Sequence, residues 1–372
     1  MLRTVRALLI AILAFGGLLP VCSIAEEDQT IGALFVMTNA ADKNEIVAYK
    51  RAHDGSLSDE HRFATGGRGS GGTTDPLASQ GSLTLTADHS FLLAVNAGSG
   101  EISSFRVHGA KLELADIVPS GGSKPVSVAQ HGNLVYVVNA GGDSDVAGFR
   151  LAGNGKLAQI PHSTTRLSTS NSGPGSVAFS PDGQFLVVTE KATNNIDVFR
   201  VQSNGRLGPI VVNPSAGAGV FALLFAPNGA ALASETGPPS GAISSYAVQS
   251  NGALSTISAS VPTLGAATCW QAVTPDGRFV YTANSGSSTI SGFSIGKNGG
   301  LTPLSGTLVA TLPTGSIDLD TTITADGKFL YTLNSGTGTI GIFGIDADGT
   351  LSSLGEKGGL PASAGFNGIV AF

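Results

Sequence analysis

Residues 179–201 read FSPDGQFLVVTEKATNNIDVFRV, and short apolar runs there alternate with turn dipeptides. SVAFS (176–180), FLVVT (185–189) and IDVFRV (196–201) have strand length and are rich in β-branched and aromatic residues. Asp182-Gly183 and Asn204-Gly205 flank them and supply the positive φ that tight hairpins need. The pattern returns as VTPDGRFVYTANSGSSTISGFSI (273–295) and ITADGKFLYTLNSGTGTIGIFGI (323–345). The residue closing its second strand can be followed through Asn39, Asn96, Asn139, Glu190, Glu235, Asn284 and Asn334, at gaps of 57, 43, 51, 45, 49 and 50 residues. An aromatic follows nine to eleven residues later each time: Tyr49, Phe105, Phe149, Phe199, Tyr246, Phe293 and Phe343. Seven units of about fifty residues point to a propeller or a solenoid.

Each unit reads as four strands, a to d. The a–b turns recur at Asn228-Gly229, Asp276-Gly277 and Asp326-Gly327. The c–d turns recur at Asp54-Gly55, Asn154-Gly155, Asn251-Gly252, Asn298-Gly299 and Asp348-Gly349. Two hairpin turns per unit predict four-stranded antiparallel blades in an all-β chain, with no segment that demands a helix. The first unit starts at strand b, ALFVMTN (33–39), with no strand a before it. The last residues, NGIVAF (367–372), match GSVAF (175–179). The C-terminal strand is therefore expected to complete the first blade and close a seven-bladed ring, removing the open edge.

Charged residues make up 12% of the chain, about half the usual share. Net charge is −6 and no run of Lys and Arg appears, which argues against a nucleic-acid partner. Arg3 and Arg6, the apolar run 7–19 and Ser23-Ile24-Ala25 read as an export signal cut after Ala25. Lipid anchoring through Cys22 is the minor option, since Val21 before it is not small. The expected division is a signal peptide over 1–25 and one propeller domain over 26–372. The mature chain then holds one cysteine, Cys269, and no intrachain disulfide. No later apolar run is long enough for a membrane helix. The localisation expected is periplasmic or secreted.

The strings SPDGQFLVVTE, TPDGRFVYTAN and TADGKFLYTLN resemble the seven-bladed propeller lactonase family, which includes bacterial 6-phosphogluconolactonases and fungal carboxymuconate-lactonizing enzymes. They also resemble the YVTN-type repeats of surface-layer propellers. The lactonase resemblance covers nearly the whole mature chain and implies a propeller fold and lactone hydrolysis. It places a His six residues before the Pro of the fourth blade's S-P-D strand, where this chain has Gly175. It places Arg-His at the start of the fifth blade's strand a, where this chain has Phe221-Ala222. Its Ser-Glu is matched by Ser234-Glu235.

Strand alternation puts the a–b and c–d turns on one face of the disc, and the b–c loops and d–a connections on the other. A ligand site is expected at the channel mouth on the b–c face. The histidines fall elsewhere: His53 and His108 in c–d turns, His89 and His131 in a–b turns, His61 and His162 near outer strands. They lack metal-ligand spacing, so no metal is expected, and no cofactor is called for. The mouth collects Lys124, Glu190, Lys191, Glu235, Cys269, Trp270, Asp318, Asp320, Phe366 and Asn367. Of these, Glu190, Lys191 and Glu235 are the candidate catalytic residues, and Lys124, Trp270, Asp318 and Asp320 the candidate ligand-binding residues. One Glu is to act as base and a lysine as oxyanion stabiliser. The plainer reading of the two glutamates is drift from the Asn of the other five units. Asp318 and Asp320 can equally bind strand-start amides, and Trp270 can equally pack between blades. Cys269 reads as a partly buried filler without a His to activate it. The loop 64–81 is the longest on this face, either a lid carrying Arg68 or a disordered insertion. These readings give an exported monomer that hydrolyses a small lactone or cyclic carboxylic acid; the alternative is a non-catalytic envelope propeller using the same mouth for a ligand.

Overall fold

The computed structural model describes residues 30–237 and 240–372. The expected signal segment and Cys22 lie outside the described residues. Among the described residues there are strands and turns but no helix. Seven antiparallel sheets form, one per repeat. Their inner strands follow one another around a central channel: Leu83–Leu85, Pro125–His131, Pro174–Phe179, Val220–Phe225, Thr268–Val273, Asp318–Ile323 and Ile369–Ala371.

The repeat string explains the a–b hairpin. In S-P-D-G the Ser180 hydroxyl donates to Asp182 Oδ1 at 2.6 Å, and the same oxygen accepts the Gln184 amide at 3.0 Å. Gly183 takes φ 68°, a left-handed conformation that costs glycine little. Thr274 with Asp276 and Thr324 with Asp326 repeat the hydroxyl-to-carboxylate bond. The blades are joined by buried aromatics. The hydroxyls of Tyr136, Tyr281 and Tyr331 donate to the carbonyls of Gly205, Gly349 and Gly55, each in the c–d turn of the next blade. The last of these links the seventh blade to the first.

Closure follows the sequence expectation. Ile369–Ala371 pairs antiparallel with Thr30–Met37, with Phe35 opposite Val370. Arg51 Nε also donates to the Phe372 carbonyl at 3.0 Å. Gly32 is required here, because a Cβ would lie 1.9 Å from that carbonyl oxygen. Among the described residues only the third blade breaks its outer strand, into Leu157–Gln159 and Thr165–Arg166, both paired with Asp145–Leu151. Pro161 in the gap has no N–H to give the ladder, and His162 beside it holds φ 58°.

Candidate functional site

The channel mouth on the b–c face is not open. The loop between the first and second blades, expected as a lid or a disordered insertion, runs into it as an ordered plug. Ser79 Oγ donates to Val126 O at 2.7 Å, and Trp270 Nε1 donates to Ser79 O at 2.9 Å. The Gln80 amide N–H reaches Gly175 O at 2.9 Å, and its side chain bridges to Gln271. Lys191 Nζ donates to Ala78 O at 2.6 Å and to Pro174 O at 2.8 Å. Asn367 Nδ2 donates to Asp75 Oδ1 at 3.1 Å. Residues 75–80 are thus tied to the first, third, fourth and sixth blades. Arg68 stays at the exposed end of the loop.

Glu190 and Glu235 are each hydrogen-bonded to their own blade and to the d–a connection that enters it. Glu190 is fully buried; its Oε1 accepts the Ser168 amide at 2.9 Å, and its Oε2 accepts the Ser168 and Thr193 hydroxyls at 2.5 and 2.6 Å. Glu235, also buried, accepts the Gly217 amide at 2.9 Å and the hydroxyls of Ser215, Ser244 and Ser260. The asparagines at the equivalent positions do similar work. Asn96 accepts from Thr65 and donates to Ser103, and Asn284 accepts from Thr268 and donates to Ser291. The last residue of strand b is therefore a lock between its own blade's strands and the incoming d–a connection. In two blades a carboxylate replaces the amide because serines and amides supply donors there. Asp197 stands beside Glu190, and both carboxylates accept the Ser168 amide. Burial and the neighbouring Glu190 push Asp197 well above the usual carboxylate range, while hydrogen bonds from Asp197, Ser168 and Thr193 outweigh burial and lower Glu190.

What stands at the mouth is a different set. Asp75 is half-buried; its Oδ1 accepts the Ala78 amide and Asn367, and among the described residues its Oδ2 has no partner. Burial pushes Asp75 up to about 6, against the pull of these bonds and of Lys191. Lys191 lies over the Phe221 ring, 5.4 Å from its centroid. Burial brings Lys191 down to about 8; Asp75 opposes the shift and Lys124 adds to it. Lys124 is exposed, at φ 53°. Cys269 is buried and free, and burial with Asp75 and Asp318 nearby raises its thiol, so it is held as the unreactive S–H.

Trp270 is buried edge-on against Phe221, with ring centroids 5.0 Å apart, and serves as packing and plug anchor. Asp318 is wholly buried, and among the described residues neither of its carboxylate oxygens has a hydrogen-bond partner. Asp320 lies beneath the plug, accepting the Thr321 and Ile369 amides at 2.9 and 3.2 Å. Burial pushes both acids up to about 8. Phe366 and Asn367 are buried under the plug's first turn. His89 and His131 are half-buried and the other four histidines exposed. Among the described residues no three His, Cys, Asp or Glu side chains gather as a metal site requires. Gly175 cannot be read as a vacant His position: a Cβ there would lie 2.1 Å from Phe221 O. Sequence reasoning missed Asp75 and Gln80, because the loop holding them has no counterpart in the other six repeats.

Seven closed four-stranded blades with polar groups converging at one end of the channel define a seven-bladed β-propeller. The chain belongs to the lactonase family of such propellers: the profile described as Lactonase, 7-bladed beta-propeller, matches residues 32–163, 125–225 and 222–318. Over 127 residues the chain is 31% identical to the 6-phosphogluconolactonase of Bacillus subtilis (strain 168). That match spans 34% of this chain and 34% of the relative, about a third of its length. The periplasmic gluconolactonase PpgL of Pseudomonas aeruginosa superposes with a TM-score of 0.67 at 20% identity, over 91% of this chain and 98% of that one. A protein from Lactobacillus plantarum superposes with a TM-score of 0.69 at 20% identity, over 91% and 98%. At these identities the structural likeness is one of fold.

Proposed function

We propose that this protein is an exported lactonase that hydrolyses a small lactone or cyclic carboxylic acid at the b–c mouth, with Asp75 as base and Lys191 as oxyanion stabiliser. The observation that carries the reading is that Asp75 and Lys191 both bind Ala78 at the rim of the plug, a carboxyl and an ammonium whose protonation ranges are both displaced toward neutrality. Near pH 7 Asp75 is mainly carboxylate and Lys191 mainly ammonium, the states the reaction needs. Asp75 Oδ2 takes a proton from water as the water oxygen bonds to the lactone carbonyl carbon. The carbonyl oxygen gains negative charge next to Lys191 Nζ, whose other two protons are held by Ala78 O and Pro174 O. When the ring C–O bond breaks, the proton on Asp75 passes to the leaving alkoxide, giving the open hydroxy acid. Lys124 adds positive charge where an anionic substrate group approaches.

Family membership supports lactone hydrolysis, and the N-terminal pattern of the sequence supports export. The binding-only alternative draws on one observation, the absence of the family's His and Arg at Gly175 and Phe221-Ala222. A pH-stat screen of purified protein against a panel of five- and six-membered lactones separates the two. Turnover lost in Asp75→Asn and Lys191→Met supports the enzyme. No turnover on any lactone, with a ligand still bound, supports the binding module.

A further inference from the structure

We propose that the central channel beneath the plug is a second site, one that admits a small primary-ammonium cation from the face of the a–b turns and seats it against Asp320. A cavity of about 360 Å³ runs from Gln80, Gln271 and Asp320 at the plug to Ala87 and His89 in an a–b turn. Thr84, Thr86, Thr321 and Thr322 are among the residues that line it, and among the described residues no Lys or Arg does. Its charge is set at the floor by one carboxyl, of which only 3% is exposed.

Asp320 is out of pattern. The inner strands of the fifth, sixth and seventh blades each bulge two residues at their start, and the second bulged residue is Ala222, Trp270 and Asp320 in turn. Two blades keep this position apolar; the third puts an acid there. Asp320 also holds φ 127°, where a residue with a Cβ is strained. A strained, buried, ionisable side chain at the end of an open cavity is costly unless something uses it. The amides of Thr321 and Ile369 fix the carboxyl, and Gln80 Nε2 stands 3.5 Å from Oδ1.

The titratable groups facing Asp320 are Asp75, across the plug, and His89, at the far rim of the channel. Burial keeps Asp320 protonated up to about pH 8 against the pull of the Thr321 and Ile369 amides, with a smaller push from Asp75. A cation must therefore displace that proton, so binding tightens as pH rises. An ammonium group suits the site because its N–H donors match the carboxylate oxygens.

The test uses methylammonium chloride, with tetraethylammonium chloride at equal ionic strength as the control that is too wide and has no N–H. Methylammonium is expected to raise the melting temperature of the full chain above the control. Its affinity by calorimetry is expected to tighten about tenfold per pH unit while Asp320 is mainly protonated. Both responses should vanish in Asp320→Asn, which keeps the shape, and in Asp320→Gly, which relieves the strained φ and so folds. Equal shifts with the two salts, an affinity independent of pH, or a response that survives both substitutions overturns the proposal.

Discussion

Replacing Glu190 separates a lock from a catalytic group. In Glu190→Ala the Ser168 amide keeps a partner, since Asp197 Oδ2 also accepts it at 3.2 Å. The hydroxyls of Ser168 and Thr193 lose theirs, but both residues are half-buried, so water replaces part of the loss. A buried donor left without a partner costs about 1–3 kcal/mol, and water access places these two near the low end. Truncating a fully buried side chain adds a cavity cost, of order 1 kcal/mol after partial collapse. Together these give a destabilisation of roughly 2–4 kcal/mol. Glu190→Gln keeps an acceptor for the Ser168 amide, and both hydroxyls can turn to accept from its NH2, so its loss is about 1 kcal/mol or less. Urea unfolding followed by Trp270 fluorescence measures both. On this account Glu190→Gln also keeps its turnover in the lactone screen. A Glu190→Gln protein with unchanged stability and abolished turnover would refute the lock and return Glu190 to the chemistry.

Deleting residues 367–372 removes the inner strand of the first blade and the carbonyl that Arg51 binds, and the product is expected to be insoluble or rapidly proteolysed; a soluble deletion that melts like the full chain contradicts the closure. Asp75, Asp197, Asp318 and Asp320 all have raised folded-state values, so between about pH 4, where unfolded Asp titrates, and their folded values the native state holds more protons than the unfolded one. Stability should then fall as pH rises through that window, by at most about 1.4 kcal/mol per unit for each group, and Asp318→Asn should flatten the decline in urea midpoints measured from pH 4 to 8. Trp270→Phe removes the bond to Ser79 O and should speed protease cleavage within 64–81 while the blades stay resistant; equal cleavage rates would show that the plug is held without it.

The repeat made the fold legible. Hydroxyl-x-Asp-Gly strings marked the a–b turns, Asn-Gly and Asp-Gly marked the c–d turns, and the C-terminal string matched an inner strand, so blade number and closure followed from local chemistry. The site was less legible because the signal used for it, departure from the repeat, has two physical causes. At Glu190 and Glu235 the departure answers local hydrogen-bond donors: serines and amides of the incoming d–a connections surround both carboxylates. At Asp320 it places an acid where two neighbouring blades hold Ala222 and Trp270. Nothing in a one-dimensional string tells these apart. Asp75 was invisible for the opposite reason. It sits in an insertion with no repeat to depart from, and only the threading of that loop into the mouth brings it beside Lys191.

The most direct test of the function is the pH dependence of kcat/KM for whichever lactone the screen identifies. Asp75 must be ionised and Lys191 charged, so the account predicts a bell, rising near pH 6 and falling near pH 8. In Asp75→Asn the rising limb should disappear along with most of the rate. A wild-type profile with no limb near pH 6, or an Asp75→Asn protein that keeps both the bell and the rate, would contradict the account.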